Sequence, residues 1–136
     1  MTKKTKRSAV DRGEASTYAE AGAQFTRAAA LARESGYWNA AGLLYVHSAI
    51  AFADAVAIAR RGEKSTSENH LDALILFGDV TAGLKGRDEA REHLRRIIDE
   101  KSRVAYSGVT FRRGDLEKLA LHAERFRSFA ERVLTG

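Results

Sequence analysis

The sequence predicts an all-α protein, folded as an antiparallel bundle of about five helices. Proline is absent from the chain, whereas average usage of about 5% would give roughly seven prolines, so nothing interrupts long helices. Apolar residues recur at the spacing of helical turns along most of the chain, and the alternation typical of strands is missing. The connections between the helical segments are short, which favours antiparallel packing of neighbours.

The first two helices are predicted from about Ser16 to Glu34 and from about Tyr37 to Arg61. The second is apolar nearly all round and is long enough to cross a bilayer. However, Asp54 alone would cost about 2.5–3.5 kcal/mol near the centre of a membrane helix. A helix that is apolar all round can equally lie at the centre of a soluble bundle. We therefore predict that it is the buried core helix and that the protein has no membrane partner.

The other three helices are predicted between polar and glycine-rich turns. Thr66 or Ser67 is expected to cap the third helix, because a hydroxyl there can accept a hydrogen bond from the first turn. Lys101 falls on the apolar side of the fourth helix. The predicted ranges are about 67–80, 87–105 and 110–134, with a turn at 106–108 before the last helix.

The positive charge is concentrated at the N-terminus. The net charge is +5, and residues 1–12 contain five basic residues against one acidic residue. We expect residues 1–13 to form a basic, disordered tail and residues 14–136 to form one helical domain. The tail lacks the apolar segment of a signal peptide. Cysteine is absent, which excludes disulfides and thiol catalysis and fits a cytoplasmic location.

Several classes of site have no support in the sequence. The four histidines are scattered, without HExxH or a pair at helical spacing, so no metal site is predicted. The glycine-rich motifs of dinucleotide and P-loop sites are missing, as is the G-x-S-x-G motif. No cofactor is expected.

A polar group within the apolar helices provides the candidate site. His47 and Asp54 are seven residues apart and therefore share a face of the core helix. A buried carboxylate must be paired or protonated, and a cation on an apolar face needs a partner. We expect Asp54 and Lys101 to meet or to face one polar pocket. Such a pair would either be a tie that sets the helix register or form the floor of a binding site. His70 opens the third helix, while His93 and His122 are assigned no role.

Three segments in this order resemble the HEPN family of small helical domains. They are the core-helix run GYWNAAGLLYVHSAIAFADAV, the following ENHLDAL, and the closing KSRVAYSGVTFRRGDLEKLALHAERF. The resemblance extends from about Tyr18 to Leu134 and implies a HEPN-like bundle that forms homodimers. Many members of this family are metal-independent ribonucleases with an arginine and, four to six residues later, a histidine near the end of the helix before the closing turn.

In this chain the family register places Lys101 and Tyr106 at those two positions. Lysine attracts phosphate as a point charge rather than as a planar fork, and tyrosine is a poor proton shuttle at neutral pH. The resemblance therefore implies a non-catalytic module that works through dimerisation or a partner protein, with nucleotide or RNA as a ligand. Its polar pocket would contain His47, Asp54, His70 and Arg103.

The alternative is a metal-independent endoribonuclease of a toxin–antitoxin or phage-defence system, with a nucleotidyltransferase-like antitoxin as its partner. In that interpretation Lys101 and Arg103 hold the scissile phosphate, and Tyr106, His47 or His70 handles protons. Arg87 and His93 also match the motif spacing, but they lie at the start of their helix and such matches arise by chance. A sequence-specific DNA-binding protein is disfavoured because the body of the chain is nearly neutral.

Overall fold

The computed structural model describes residues 6–67, 69–106 and 110–136. These residues form an all-α helical bundle with one small two-stranded sheet, so the predicted fold class is confirmed. A 3-10 turn at Arg12–Glu14 precedes the first α-helix. The helices are α1 (Ala15–Glu34), α2 (Trp38–Arg61), α3 (His70–Val80), α4 (Arg87–Asp99), α5 (Lys101–Ala105) and α6 (Arg113–Thr135), and the strands are β1 (Arg7–Ala9) and β2 (Glu63–Ser65).

Helix α2 is the core helix that the sequence predicts. Thirteen of its 24 residues are buried, and α1, α3, α5 and α6 all pack against it. By length and composition alone it could span a membrane, but 72% of its most apolar 18-residue window is buried inside the bundle. Burial by neighbouring helices therefore accounts for its apolar character.

Helix α1 packs closely on α2 through small residues. A Cβ atom added at Gly22 would lie 2.9 Å from the ring of Phe52, so glycine permits the close approach of the two helices. The hydroxyl oxygens of Thr26 and Ser48 lie 2.7 Å apart across the same contact. Gly36 has a φ of 78° in the connection between the two helices, a conformation that glycine adopts without steric cost.

The predicted fourth helix is divided into two. The sequence predicts one helix over 87–105, whereas α4 ends at Asp99 and α5 begins at Lys101. The two pieces have different main partners: α4 packs mostly on α6 and α3 and less on α2, whereas α5 packs on α2. Burial of two apolar surfaces that face different neighbours explains the break. The predicted turn at 106–108 falls mostly on residues outside the described ranges.

The prediction of a disordered tail is wrong for residues 7–9. These residues form β1, which pairs antiparallel with β2, Arg7 lying opposite Ser65. The Arg7 guanidinium also lies 2.7 Å from the carboxylate of Asp79. The prediction that the chain has no strands therefore fails here as well. The partners of Arg7 are far away in sequence, so no local pattern indicates them. Residues 1–5, which include Lys3 and Lys4, lie outside the described ranges.

Helix α3 begins later than predicted. Its cap is Asn69, whose side-chain oxygen accepts a hydrogen bond from the backbone N–H of Leu71 at 3.0 Å. The predicted cap Ser67 instead accepts a hydrogen bond from the backbone N–H of Asn69 at 3.1 Å. This cap makes His70 the first residue of α3 and thereby sets its position in the candidate site.

Candidate functional site

The central contact of the candidate site joins the first residues of two helices. The ammonium nitrogen of Lys101, at the start of α5, lies 2.8 Å from Nε2 of His70, at the start of α3. A lysine ammonium can only donate hydrogen bonds, so Nε2 of His70 must accept. His70 is therefore neutral in this arrangement and carries its proton on Nδ1. Both side chains are half-buried.

His47 of α2 lies within the electrostatic reach of the same ammonium. The Lys101 charge acts on the pKa of both His47 and His70. The ring of Phe25 lies 5.8 Å from the His47 ring, centroid to centroid. His47 is exposed to solvent. Lys101, His70 and His47, which we call the Lys101 cluster, thus bring together three elements of the fold.

Electrostatics in the Lys101 cluster favours neutral imidazoles. Burial is the largest cause that lowers the pKa of His70, and the charges of Lys101 and His47 add to it. Burial followed by the Lys101 charge lowers the pKa of His47. One ammonium beside two neutral imidazoles can attract a phosphate and can accept a proton from a nearby hydroxyl group.

Asp54 does not pair with Lys101. Among the described residues Lys101 forms no ion pair, and its ammonium contacts His70. Burial raises the pKa of Asp54 to about 6, while the ammonium of Lys64 in β2 acts in the opposite direction. Two helical turns place Asp54 about 10 Å from His47 along α2, within electrostatic reach of Lys64 in β2. The expected direct contact is therefore wrong, although His47 and Asp54 share a helix face.

Arg103 and Tyr106 lie away from the Lys101 cluster. The Arg103 guanidinium lies 3.0 Å from Glu100 and 3.4 Å from Asp115, and it donates a hydrogen bond to the carbonyl of Thr110 at 3.1 Å. It therefore ties α5 to the start of α6. Tyr106 follows α5 in an extended conformation and is 67% exposed. Residues two apart on a helix do not share a face, which explains why Arg103 does not join Lys101.

Sequence reasoning missed a contact between His93 of α4 and His122 of α6. Their Nδ1 atoms lie 2.9 Å apart, and their ring centroids are 5.1 Å apart. The two histidines are 29 residues apart in sequence, so spacing within one helix could not indicate the pair. His93 directly precedes the buried Leu94, and His122 directly precedes the buried Ala123. These buried neighbours are the one sequence signal that both histidines lie at the edge of the core.

No group of three or more histidine, cysteine, aspartate or glutamate side chains in the described ranges is arranged to hold a metal ion. No protein-family model matches the chain, and neither a curated protein nor a solved structure is similar to it at a significant level. The resemblance to the HEPN family therefore stays a prediction from the sequence.

Proposed function

We propose that this chain is a HEPN-like helical module that binds a phosphate-bearing ligand, a nucleotide or RNA, without cleaving it. The observation that carries the proposal is the environment of Lys101. Its ammonium is half-buried and faces a neutral imidazole, and no carboxylate within the described part of the chain forms an ion pair with it. A phosphate group would supply the missing negative charge and would accept hydrogen bonds from the ammonium.

The placement of two other candidate residues supports binding without catalysis. Arg103 is engaged by Glu100 and Asp115, so it is held away from a phosphate at Lys101. The Tyr106 side chain is largely exposed. Neither residue therefore supplies the second group that phosphodiester cleavage at this position would need.

The experiment measures binding and cleavage together. Fluorescence anisotropy would follow a labelled single-stranded RNA and its displacement by ATP, in the presence of EDTA, for the wild type and for Lys101→Met. We expect the substitution to weaken binding by about tenfold or more, since a charge-assisted hydrogen bond is lost. Lys85→Met is the matched control, because Lys85 is an exposed lysine in the turn before α4. Equal affinity for the wild type and Lys101→Met would contradict the proposal.

A metal-independent endoribonuclease is the second candidate, and the two histidines beside Lys101 favour it. A neutral imidazole can act as a general base while the ammonium holds the scissile phosphate. Gel analysis of cellular RNA incubated with the protein in chelator tests this function. RNA cleavage by the wild type that is lost in Lys101→Met and in His70→Asn would establish the ribonuclease and replace the non-catalytic proposal. Intact RNA in every sample would exclude it.

We further propose that the module acts as a homodimer or with a nucleotidyltransferase-like antitoxin. An exposed apolar side chain supports a partner surface beside the Lys101 cluster, since Leu71, which follows His70 in α3, is 47% exposed. Light scattering after gel filtration would compare the wild type with Leu71→Glu. The control is Leu31→Glu, because Leu31 is 67% exposed on α1. A dimer lost only in Leu71→Glu would support this surface, and a monomeric wild type would leave the separate antitoxin as the candidate partner.

A further inference from the structure

The histidine pair on α4 and α6 has a geometry that metal ions use. Nitrogen ligands lie about 2.0–2.1 Å from a bound first-row transition metal. Two such bonds to the Nδ1 atoms of His93 and His122, which lie 2.9 Å apart, would meet at an angle of about 90°. A right angle between neighbouring ligands is typical of octahedral and square-planar ions, whereas tetrahedral Zn²⁺ would need the nitrogens about 3.3 Å apart.

Both imidazoles are available as neutral ligands. Burial is the largest cause that lowers the pKa of His93 and of His122. In the metal-free protein one Nδ1 donates its proton to the other. A metal ion would take the place of that proton, and the donor ring would carry its proton on Nε2 instead, so the exchange needs no net proton release.

The charges around the pair are mixed. Glu89 and Glu92 of α4 favour positive charge at His93, whereas Arg96 of α4 and Arg125 of α6 oppose it. Arg96 lies 3.1 Å from the carboxylate of Glu92, so part of its charge is compensated. At His122 the basic side chains of Arg96 and Arg125 act against the single carboxylate of Glu92, so the affinity for a cation must come from the two imidazoles.

Solvent reaches His122 through a cleft between α4, α5 and α6. The cleft has a volume of about 260 Å³ and is lined by His122, by the carboxylates of Asp99, Glu100 and Asp115, and by four basic side chains. Because the described residues offer no third ligand, water would occupy the remaining coordination positions.

We propose that His93 and His122 form a two-histidine site for a divalent transition-metal ion, Ni²⁺ or Cu²⁺, which joins α4 to α6. The site is separate from the Lys101 cluster and does not depend on the function proposed for it. It escapes detection in the sequence because its ligands lie on two different helices.

Isothermal titration with Ni²⁺, together with thermal unfolding, tests the site. We expect one ion per chain and a higher Tm in Ni²⁺, because a ligand that binds only the folded state stabilises it. His93→Asn and His122→Asn should each weaken binding by about tenfold or more, since one of the two protein ligands is lost. His47→Asn is the control and should bind Ni²⁺ as the wild type does.

Two results would overturn the site. One is Ni²⁺ binding by the wild type that is no tighter than binding by the His93→Asn/His122→Asn double variant. The other is loss of binding in His47→Asn. If the variants do not fold, the electron paramagnetic resonance spectrum of wild-type protein with one equivalent of Cu²⁺ decides. Hyperfine splitting from two imidazole nitrogens supports the pair, and splitting from one or none contradicts it.

Discussion

The ammonium of Lys101 lies 2.8 Å from Nε2 of His70, and this contact exists only while the imidazole is neutral. Protonation of His70 would leave two like charges in contact. Because the pKa of His70 is lowered in the folded protein, the contact stabilises the fold above the ordinary histidine pKa. That stability is lost as the pH falls through the lowered value. We therefore expect the Lys101 cluster to be intact at neutral pH and to weaken in acid.

We expect Lys101→Met to raise the pKa of both His70 and His47. The ammonium disfavours the imidazolium form of each ring, and its removal leaves burial as the main remaining cause of the lowered pKa. Titration of the imidazole Cε1–H resonances by NMR would measure the change. Lys85→Met is the control variant, and the His93 resonance is an internal reference. Unchanged midpoints for both His70 and His47 would contradict the geometry of the cluster.

We expect Asp54→Asn to stabilise the protein at pH 7.5 but not at pH 4. Burial raises the pKa of Asp54 from 3.8 to about 6. Stability that the neutral carboxyl provides is present below pH 4 and is lost as the pH rises through about 6. The asparagine amide cannot ionise and would avoid this loss. We therefore expect the free energy of unfolding to rise by up to about 3 kcal/mol at pH 7.5.

Urea unfolding at both pH values measures this effect, with Glu124→Gln as the control because Glu124 is exposed. Higher stability of Asp54→Asn at pH 7.5 would show that the native protein keeps the charged Asp54 carboxylate at the expense of stability, as happens at functional sites. A loss of stability at pH 7.5 would instead show that the Asp54 carboxylate has a stabilising partner.

We expect Gly42→Ala to destabilise the protein by about 1–3 kcal/mol, because overpacking forces neighbouring atoms to move. A Cβ atom at this position would lie 2.6 Å from a methyl of Val104 and 3.0 Å from the ring of Phe111. The added methyl group would push α5, and with it Lys101, away from α2. The lowering of the His47 and His70 pKa by Lys101 should therefore weaken in the same variant.

Gly114→Ala is the matched control for this substitution. Gly114 lies in the first turn of α6, and a Cβ atom there would meet no atom within 4 Å. Alanine should stabilise the helix by up to about 1 kcal/mol. Chemical denaturation of both variants measures the difference in the free energy of unfolding. No loss of stability in Gly42→Ala would show that α5 does not pack closely on α2.

We expect Arg7→Ala to destabilise the protein by about 1–3 kcal/mol, as for the loss of a partly buried charged hydrogen bond. The Arg7 side chain is 12% exposed and lies 2.7 Å from the carboxylate of Asp79. Arg12→Ala, at an exposed arginine, should have little effect. Thermal unfolding of both variants measures the contrast, and equal stability would mean that β1 is not anchored through Arg7.

The sequence by itself determined the helical fold and the core helix. Periodicity, the lack of proline and the terminal glycines are local properties, and the helix bounds follow from them to within a few residues. α1 and α2 are the clearest cases, since their observed bounds differ by one residue or less from the predicted ones at each end. The apolar run of α2 predicts a buried centre for the same reason.

Only the tertiary structure decided which polar groups meet. Lys101 lies on the apolar side of its helix in the sequence, but in the fold its ammonium contacts His70, 31 residues away. The contact between His93 and His122, which are 29 residues apart, is likewise decided only by the fold. Such contacts depend on how helices pack against one another, and packing is set by the burial of whole surfaces rather than by any local pattern.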